Sequence, residues 1–182
     1  MKVLVPLAGG FEEIEAVTII DILRRAAIDV TTVSLRDNPV KGSHGISVTA
    51  DKSIDEVKPG DYQCIILPGG MPGSANLKKN NDILRLLREI SENGGWIAAI
   101  CAAPIVLSAA GLLKGKTATC FPGYEKDLDG AIISDEPVVV DGKLITGKGA
   151  GCAIPFALRL VEVLKDLDTA ENLKKSLQVY WM

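Results

Sequence analysis

The stretch WIAAICAAPIVL, residues 96–107, places a cysteine between two different patterns. It begins with a short apolar run typical of a buried β-strand and continues with the small and aliphatic side chains of a helix. Cys101 therefore lies at a predicted strand–helix junction, where the sharp turn of a nucleophile elbow pushes the side chain above the sheet edge. The alternative is a cysteine that merely fills core space, as many cysteines do.

The same alternation of apolar runs and helical periodicity extends along the chain on both sides of this junction. Strands are predicted at residues 2–8, 29–35, 62–70 and 96–100, and helices at residues 12–27, 81–93, 102–110, 153–165 and 169–177. Hairpin strands are predicted at residues 38–50 and 138–146. Alternation of this kind predicts an α/β fold with a mainly parallel sheet and helices on both faces, built as one domain over residues 1–182.

The amino-acid composition argues against several classes of protein. Of 182 residues, 47% are hydrophobic and 24% are charged, as in a globular protein with material for a core. The net charge of −3 and the aromatic content of 4% give no basis for binding nucleic acid or an anionic membrane surface. The apolar run after Lys2 is too short for a signal peptide or a membrane span, so we expect a cytoplasmic protein.

The inventory of cysteine and histidine argues against a metal centre. The four cysteines include no C-x-x-C pair, and the chain has 1 histidine, so neither a zinc site nor any other cofactor is predicted. In a reducing compartment the cysteines are separate thiols. Cys64 lies inside a strand pattern and is assigned to the core, whereas the roles of Cys120 and Cys152 stay open.

Cys101 is the predicted exception among these thiols. The helix that follows it offers free backbone N–H groups and a partial positive charge, and both stabilise a thiolate. We therefore expect the pKa of Cys101 to lie below the ordinary value of about 8.5.

A reactive thiol needs a partner that holds its proton. The one histidine, His44, lies in the loop sequence KGSHG, where a side chain is usually exposed. Glu12 and Glu13 open the first helix, and acids there are common for dipole reasons alone. Glu15 is different, because helical periodicity aligns it with Ile19, Ile22 and Ala26 on an apolar stripe facing the sheet. Such burial predicts a raised carboxyl pKa and a proton available to the thiol.

The stretch LPGGMPG supplies a third element. Gly69 and Gly70 follow a strand and allow close backbone approach, so their N–H groups, with that of Ala102, are candidate oxyanion donors. The alternative is a turn without a function. No G-x-G-x-x-G or Walker pattern is present, so nucleotide binding has no support.

Together these motifs resemble a known family. GFEEIEAV (10–17), ILPGG (66–70) and AAICAAP (98–104) occur in this order in the ThiJ/PfpI superfamily, and GKGAGCAIPFAL (147–158) is similar to its C-terminal turn and last core helix. The chain is most similar to the small branch typified by the Parkinson-disease protein deglycase and its bacterial relatives, which has a class I glutamine amidotransferase-like domain.

The resemblance implies a flavodoxin-like three-layer sandwich and a homodimer. It implies that Cys101 is the reactive cysteine, that Glu15 is the acid beside it, and that Gly69 and Gly70 form the oxyanion-side turn. Members are credited with converting methylglyoxal to lactate without glutathione, with protein deglycation, with chaperoning and with sensing oxidative stress.

The chain also departs from the family pattern. Several members place a histidine in a THP context after the elbow helix, where this chain has CFPG with Phe121. His44 and Arg25 align with positions near the family's subunit boundary and are further possible site contacts. Family peptidases have a histidine directly after the elbow cysteine, and Ala102 in that place argues against a protease.

Two functions follow for the same residues. In the first, Cys101 attacks a small dicarbonyl such as methylglyoxal, or a glycated amine or thiol, Glu15 moves a proton, and the turn amides stabilise the oxyanion. In the second, Cys101 is oxidised to sulfenic and sulfinic acid as a stress sensor or chaperone, and no turnover is needed.

Overall fold

The computed structural model describes residues 1–58 and 60–180. The strands are β1 (Lys2–Leu7), β2 (Asp29–Ser34), β3 (Val40–Lys41), β4 (Ser47–Val48), β5 (Lys52–Ser53), β6 (Cys64–Leu67), β7 (Trp96–Ile100), β8 (Thr117–Ala118), β9 (Ile132–Ile133), β10 (Val138–Asp141) and β11 (Leu144–Gly147). The helices are α1 (Glu13–Arg25), α2 (Gly73–Lys78), α3 (Asn81–Glu92), α4 (Pro104–Ala109), α5 (Ala153–Leu164) and α6 (Leu167–Ser176).

The central sheet has 7 strands in the order β10-β11-β7-β6-β1-β2-β5. Every neighbouring pair is parallel except the hairpin of β10 and β11 at one edge. The chain runs from β1 outward to β2 and then returns to β6 on the other side of β1, so the strand order reverses there. The carboxyl ends of β1, β6 and β7 thus meet at one edge, where folds of this kind bind ligands.

Helices cover both faces of the sheet and form two separate cores. Val3, Val5 and Leu7 of β1 face the core shared with α1, α5 and α6, whereas Leu4 faces the core shared with α2, α3 and α4. This alternation explains why the central strands are apolar throughout, because both of their faces are buried. The predicted α/β architecture, a mostly parallel sheet with helices on both faces, is confirmed.

Most predicted elements are found with slightly shorter bounds. Both predicted hairpins form, β3 with β4 and β10 with β11. The predictions omit β5, the short parallel pair of β8 and β9, and α2, which has 6 residues. These elements are too short to show a period in the sequence. No helix in residues 1–58 or 60–180 is long and apolar enough to cross a membrane.

Candidate active site

Cys101 stands on a sharp turn at the end of β7, as predicted. Its φ of 64° lies in the left-handed region, which a residue with a side chain seldom adopts. Two backbone hydrogen bonds fix it: the Cys101 N–H donates to Gly147 O at 2.9 Å, and the Phe121 N–H donates to Cys101 O at 2.8 Å. The strained backbone is therefore held by β11 on one side and by the segment after β8 on the other.

The helix after the elbow begins later than expected. Residues 102–103 form a turn, and α4 starts at Pro104, whose missing N–H suits the first helical position. With only 6 residues, α4 has a short column of aligned peptide dipoles. It therefore gives the Cys101 thiol less support than a helix beginning at Ala102 would give.

Glu15 lies beneath Cys101, fully buried on the predicted apolar stripe of α1. Its Oε2 accepts a hydrogen bond from the Gly69 N–H at 2.8 Å, and its Oε1 has no well-aligned partner among the described residues. Burial raises the pKa of Glu15 to about 7, although the Gly69 amide and the Cys101 thiol act in the opposite direction. The predicted buried carboxyl is therefore present, and it titrates near neutral pH.

Gly69 brings the two reactive side chains together. A Cβ added at Gly69 would lie 2.6 Å from the Cys101 Cβ and 2.7 Å from Glu15 Oε2, so no side chain fits. The proposed role of its amide needs correction, however. Because the Gly69 N–H already donates to Glu15, it is not free to stabilise an oxyanion.

Gly70 and Ala102 remain candidates for the oxyanion role that the sequence suggests. The backbone N–H groups of both residues lower the pKa of the Cys101 thiol and so favour its ionised form. Gly70 has a φ of 87°, and a Cβ there would collide with the Glu12 backbone nitrogen. The two amides form a small donor pocket around the sulfur, of the kind that binds a developing negative charge.

The predicted lowering of the Cys101 pKa is wrong. Burial, the negative charge of Glu15 and the thiol–carboxylate hydrogen bond raise the pKa of Cys101 to about 12, and the amides of Gly70 and Ala102 only partly oppose this. The sequence predicts a protonated Glu15 beside the thiol, whereas an ionised Glu15 disfavours the thiolate. The Cys101 thiol therefore stays protonated beside Glu15 at neutral pH.

The other three cysteines are free thiols in different surroundings. Cys64 is fully buried in β6, as predicted, and burial raises its thiol pKa far above the ordinary value. Cys120 is buried, and its pKa rises to about 11 through burial and through the carboxylates of Glu125 and Asp127. Cys152 is half-buried at the turn before α5.

Glu13 does more than interact with the dipole of α1, which is the role that the sequence suggests. It is 5% exposed, and its Oε1 accepts the His44 N–H at 2.7 Å and the Ile46 N–H at 3.3 Å. Burial alone would raise its pKa, but hydrogen bonds from its own and neighbouring backbone amides and from the His44 side chain lower it to about 2. Glu13 thus anchors the loop between β3 and β4 to the start of α1.

Neither His44 nor Arg25 forms a hydrogen bond with Cys101 among the described residues. The His44 Nδ1 is 3.1 Å from Glu13 Oε2 and 3.5 Å from Glu12 Oε1, and hydrogen bonding to Glu13 raises its pKa. Arg25 is exposed, pairs with Asp21 at 2.6 Å, and lies ten residues, about 15 Å, along α1 from Glu15. A contact of either residue with a neighbouring subunit's site remains a prediction.

The described residues contain one group that could ligate a metal. It comprises Glu12, Glu13 and His44, whose ligating atoms lie within 4.8 Å of one another. The carboxylates and the imidazole already satisfy each other as ion pairs and hydrogen bonds, and no second feature points to an ion. We assign no metal to it.

The residues that hold Cys101 in place were not found from the sequence. Gly147 and Phe121 contribute backbone groups rather than side chains, so their sequence carries no signal for this contact. The sequence marks Phe121 as standing where several family members have a histidine and as a possible site contact, and that contact stays a prediction. Its half-exposed ring lies against Gly149, beside the elbow.

Comparison with known proteins agrees with this geometry. The sequence profile of the DJ-1/PfpI family matches residues 1–163. The chain is 38% identical to Protein dj-1beta of Drosophila melanogaster over 97% of its own length and 96% of the relative's. It is 35% identical to Glutathione-independent glyoxalase DJR-1.2 of Caenorhabditis elegans, covering 91% of this chain and 89% of that one.

Other relatives extend the comparison. The chain is 39% identical to Protein DJ-1 homolog B of Arabidopsis thaliana over 90% of its own length, but it spans only 38% of that protein. Oxidized DJ-1 from Toxoplasma gondii superposes with a TM-score of 0.94 at 41% identity, covering 98% of this chain and 99% of that one. The profile match and these full-length similarities together show that the chain belongs to the DJ-1/PfpI family.

Proposed function

We propose that the protein is a glutathione-independent enzyme of the glyoxalase or deglycase type, acting on small dicarbonyls such as methylglyoxal or on glycated amines and thiols. The observation that carries the proposal is the placement of one strained thiol between a buried carboxyl that titrates near neutral pH and two converging amides. Nucleophile, proton carrier and oxyanion donors are the parts that carbonyl chemistry requires.

The first step uses the contact between Cys101 and Glu15. The ionised Glu15 carboxylate takes the thiol proton while the sulfur attacks the aldehyde carbon, so that a C–S bond forms and the carbonyl becomes a hemithioacetal alkoxide. The N–H groups of Gly70 and Ala102 stabilise that alkoxide. Because the carboxylate removes the proton during attack, the raised thiol pKa does not prevent the reaction.

The remaining steps balance without a redox cofactor. Glu15 first returns the thiol proton to the alkoxide, and its carboxylate then removes the proton on the former aldehyde carbon while the ketone oxygen takes a proton from water, which gives an ene-diol. Glu15 delivers its proton to the neighbouring carbon, and the hydroxyl proton on the former aldehyde carbon returns to water. The aldehyde carbon is thereby oxidised to a thioester while the ketone is reduced to an alcohol. Water then cleaves the thioester, which releases lactate and restores the Cys101 thiol.

The named relative supports this choice of activity. The similar protein from Caenorhabditis elegans carries the name glutathione-independent glyoxalase. The proposal extends that activity to this chain and places it in the cytoplasm, where free thiols persist.

The test is lactate formation from methylglyoxal without glutathione or amine buffers. We expect lactate from the wild-type protein and none from Cys101→Ser, with Cys64→Ser as a matched control that removes a thiol buried in the core. If wild type and Cys101→Ser form lactate at equal rates, the proposal is wrong. If neither does, glyoxalase activity is rejected, and glycated amines and thiols test the deglycase form.

A second function is oxidation sensing by Cys101. The observation that favours it is the buried Glu15 Oε1, which has no well-aligned partner in the described chain and could donate its proton to a sulfinate oxygen. The similar Toxoplasma gondii structure is of an oxidized protein. Mass analysis after mild peroxide would show two added oxygens on Cys101 in the wild type, and much less in Glu15→Gln, if this function holds.

The proposal includes a homodimer. Ile14 and Val17 on the outer face of α1 are 58% and 47% exposed, and Ile46 of the adjacent loop is 59% exposed. Apolar side chains grouped in this way mark an interaction surface, and Arg25 lies on the same helix near it. We expect a dimer by sedimentation at micromolar concentration, weakened by Val17→Lys, whereas a monomeric wild type would contradict the proposal.

A further inference from the structure

A cavity of about 390 Å³ lies beside the candidate active site, at the carboxyl ends of β1 and β2. Its volume falls within the range of small-ligand sites. Neither Cys101 nor Glu15 lines it, so the chemistry proposed above leaves it without a role. It opens at the edge of the sheet where parallel α/β folds bind their ligands.

The charge of the cavity is opposite to that of the protein. Arg36, Lys41 and Lys79 line it, with Asp37 as the single lining acid, although the chain has a net charge of −3. Within residues 1–58 and 60–180, none of the three cations takes part in a salt bridge. Their charges are therefore not neutralised by an ion pair within the described residues.

A helix end adds to this positive potential. Asn80 lines the cavity and caps α3, a helix of 12 residues, by accepting the Ile83 N–H at 3.1 Å. The first amides of α3 thus lie beside the cavity, and the N-terminus of a helix favours an anion. Asn76 forms part of the same wall, held by a hydrogen bond from its side-chain amide to Gly9 O at 3.0 Å.

The cavity also has an apolar part to its lining. Leu35 and Pro39 supply the accessible apolar surface, because Leu7 and Val40 are almost completely buried. The Gly10 N–H donates to Lys41 O at 2.8 Å, which ties the wall that carries Lys41 to the end of β1. A ligand that matched this lining would carry an anionic group toward the cations and an apolar body over the aliphatic side chains.

We propose that this cavity binds a small organic anion that carries a phosphate or carboxylate group on an apolar body. The site is separate from the Cys101 chemistry and does not depend on the proposed function. Because exposed cations are screened by salt, affinity falls as ionic strength rises.

The experiment is an NMR titration of the full chain with phenyl phosphate, followed on the amide signals of Gly9, Asn76 and Asn80. We expect saturable shifts with phenyl phosphate. The shifts should be weaker with inorganic phosphate, which lacks the apolar body, and with phenol, which lacks the anionic group. Stronger binding of phenyl phosphate than of benzoate identifies a phosphate ligand, and the reverse identifies a carboxylate. No saturable shift with either anion, or equal binding of phenol, overturns the proposal.

Two adjacent lysines provide the matched control. Lys78 and Lys79 are both exposed, but only Lys79 lines the cavity. Lys79→Gln should weaken binding roughly three- to tenfold, while Lys78→Gln should change it by less than about twofold. Equal effects of the two would indicate attraction to the overall surface charge and would reject the site. Binding should persist in Cys101→Ser, which separates this result from the fate of the proposed enzyme activity.

Discussion

Glu13 and Glu15 are two residues apart on α1, yet their environments have opposite effects. Both are almost completely buried. Glu13 receives hydrogen bonds from backbone amides and from the His44 side chain, and its pKa falls to about 2. Glu15 accepts one hydrogen bond, from the Gly69 N–H, and burial raises its pKa to about 7 although this amide and the Cys101 thiol oppose the rise. Burial alone therefore does not determine the charge of a carboxyl group, because the number of donors that replace water decides it.

This difference separates two tasks at the start of one helix. The side of α1 that carries Glu13 uses a fixed negative charge to hold the loop between β3 and β4. The side that carries Glu15 keeps a carboxyl whose proton can move at neutral pH, next to the thiol. Exchanging glutamate for glutamine at each position keeps the shape and removes the charge, so paired substitutions test the comparison.

The largest expected effect is on reactivity. Glu15→Gln removes the proton acceptor of Cys101 and should lower the rate of lactate formation by about 100-fold or more. Glu13→Gln should change the rate by less than about threefold, since it does not contact the sulfur. The wild-type rate should also rise as pH passes through about 7, where Glu15 ionises. Equal losses of rate in the two variants would show that Glu15 supports the folded structure and does not take part in the proton transfer.

The next largest effect is on the free energy of unfolding, which Glu15→Gln should raise rather than lower. The folded pKa of Glu15, about 7, lies above its ordinary value of 4.5. Below pH 4.5 the carboxyl is protonated in both states, and between pH 4.5 and 7 the folded state binds more protons, so stability falls as pH rises. Glu15→Gln avoids this loss and should be more stable than wild type at pH 8, by on the order of 3 kcal/mol.

Urea unfolding of both proteins at pH 5 and pH 8 measures this difference. The gap between the variant and the wild type should grow from the lower pH to the higher one. A gap that did not change with pH would contradict the raised pKa of Glu15.

Glu13→Gln should have the opposite sign. The folded pKa of Glu13, about 2, lies below 4.5, so its stabilising contribution is present above pH 4.5 and is lost as pH falls toward 2. At pH 7 the variant should be less stable than wild type by about 2 kcal/mol, since it loses charge-assisted hydrogen bonds. Urea unfolding at pH 7 measures this loss, and amide exchange should locate it at residues 42–46. A Glu13→Gln protein as stable as wild type would show that the charge of Glu13 does not stabilise the fold, and would contradict the contrast with Glu15.

The smallest effect belongs to His44. Its imidazole is 68% exposed, so its ion pairs with Glu12 and Glu13 are solvated, and His44→Gln should lower the free energy of unfolding much less than Glu13→Gln does. Unfolding at low and high salt checks this prediction, because the small loss should shrink further as salt screens the pair. A loss as large as that of Glu13→Gln would mean that the side chain, rather than the His44 backbone amide, holds the loop.

The sequence alone determined the α/β class, the elbow at Cys101 and the inward orientation of Glu15. Each depends on a local period: apolar runs mark strands with two buried faces, and a repeat of 3.6 residues assigns Glu15 to the stripe of Ile19 and Ile22. Such signals survive in the sequence because a residue's face depends on its own element.

The tertiary structure alone decided how these groups ionise and which amides are free. The Gly69 N–H donates to Glu15 and is therefore not free. The Glu15 carboxylate raises the pKa of Cys101, and this effect outweighs that of the helix end. The loop of residues 42–46 buries Glu13. In each case the partner is remote in the chain. A pKa or a hydrogen bond depends on the sum of excluded water and neighbouring charges, which exists only once distant segments have packed together.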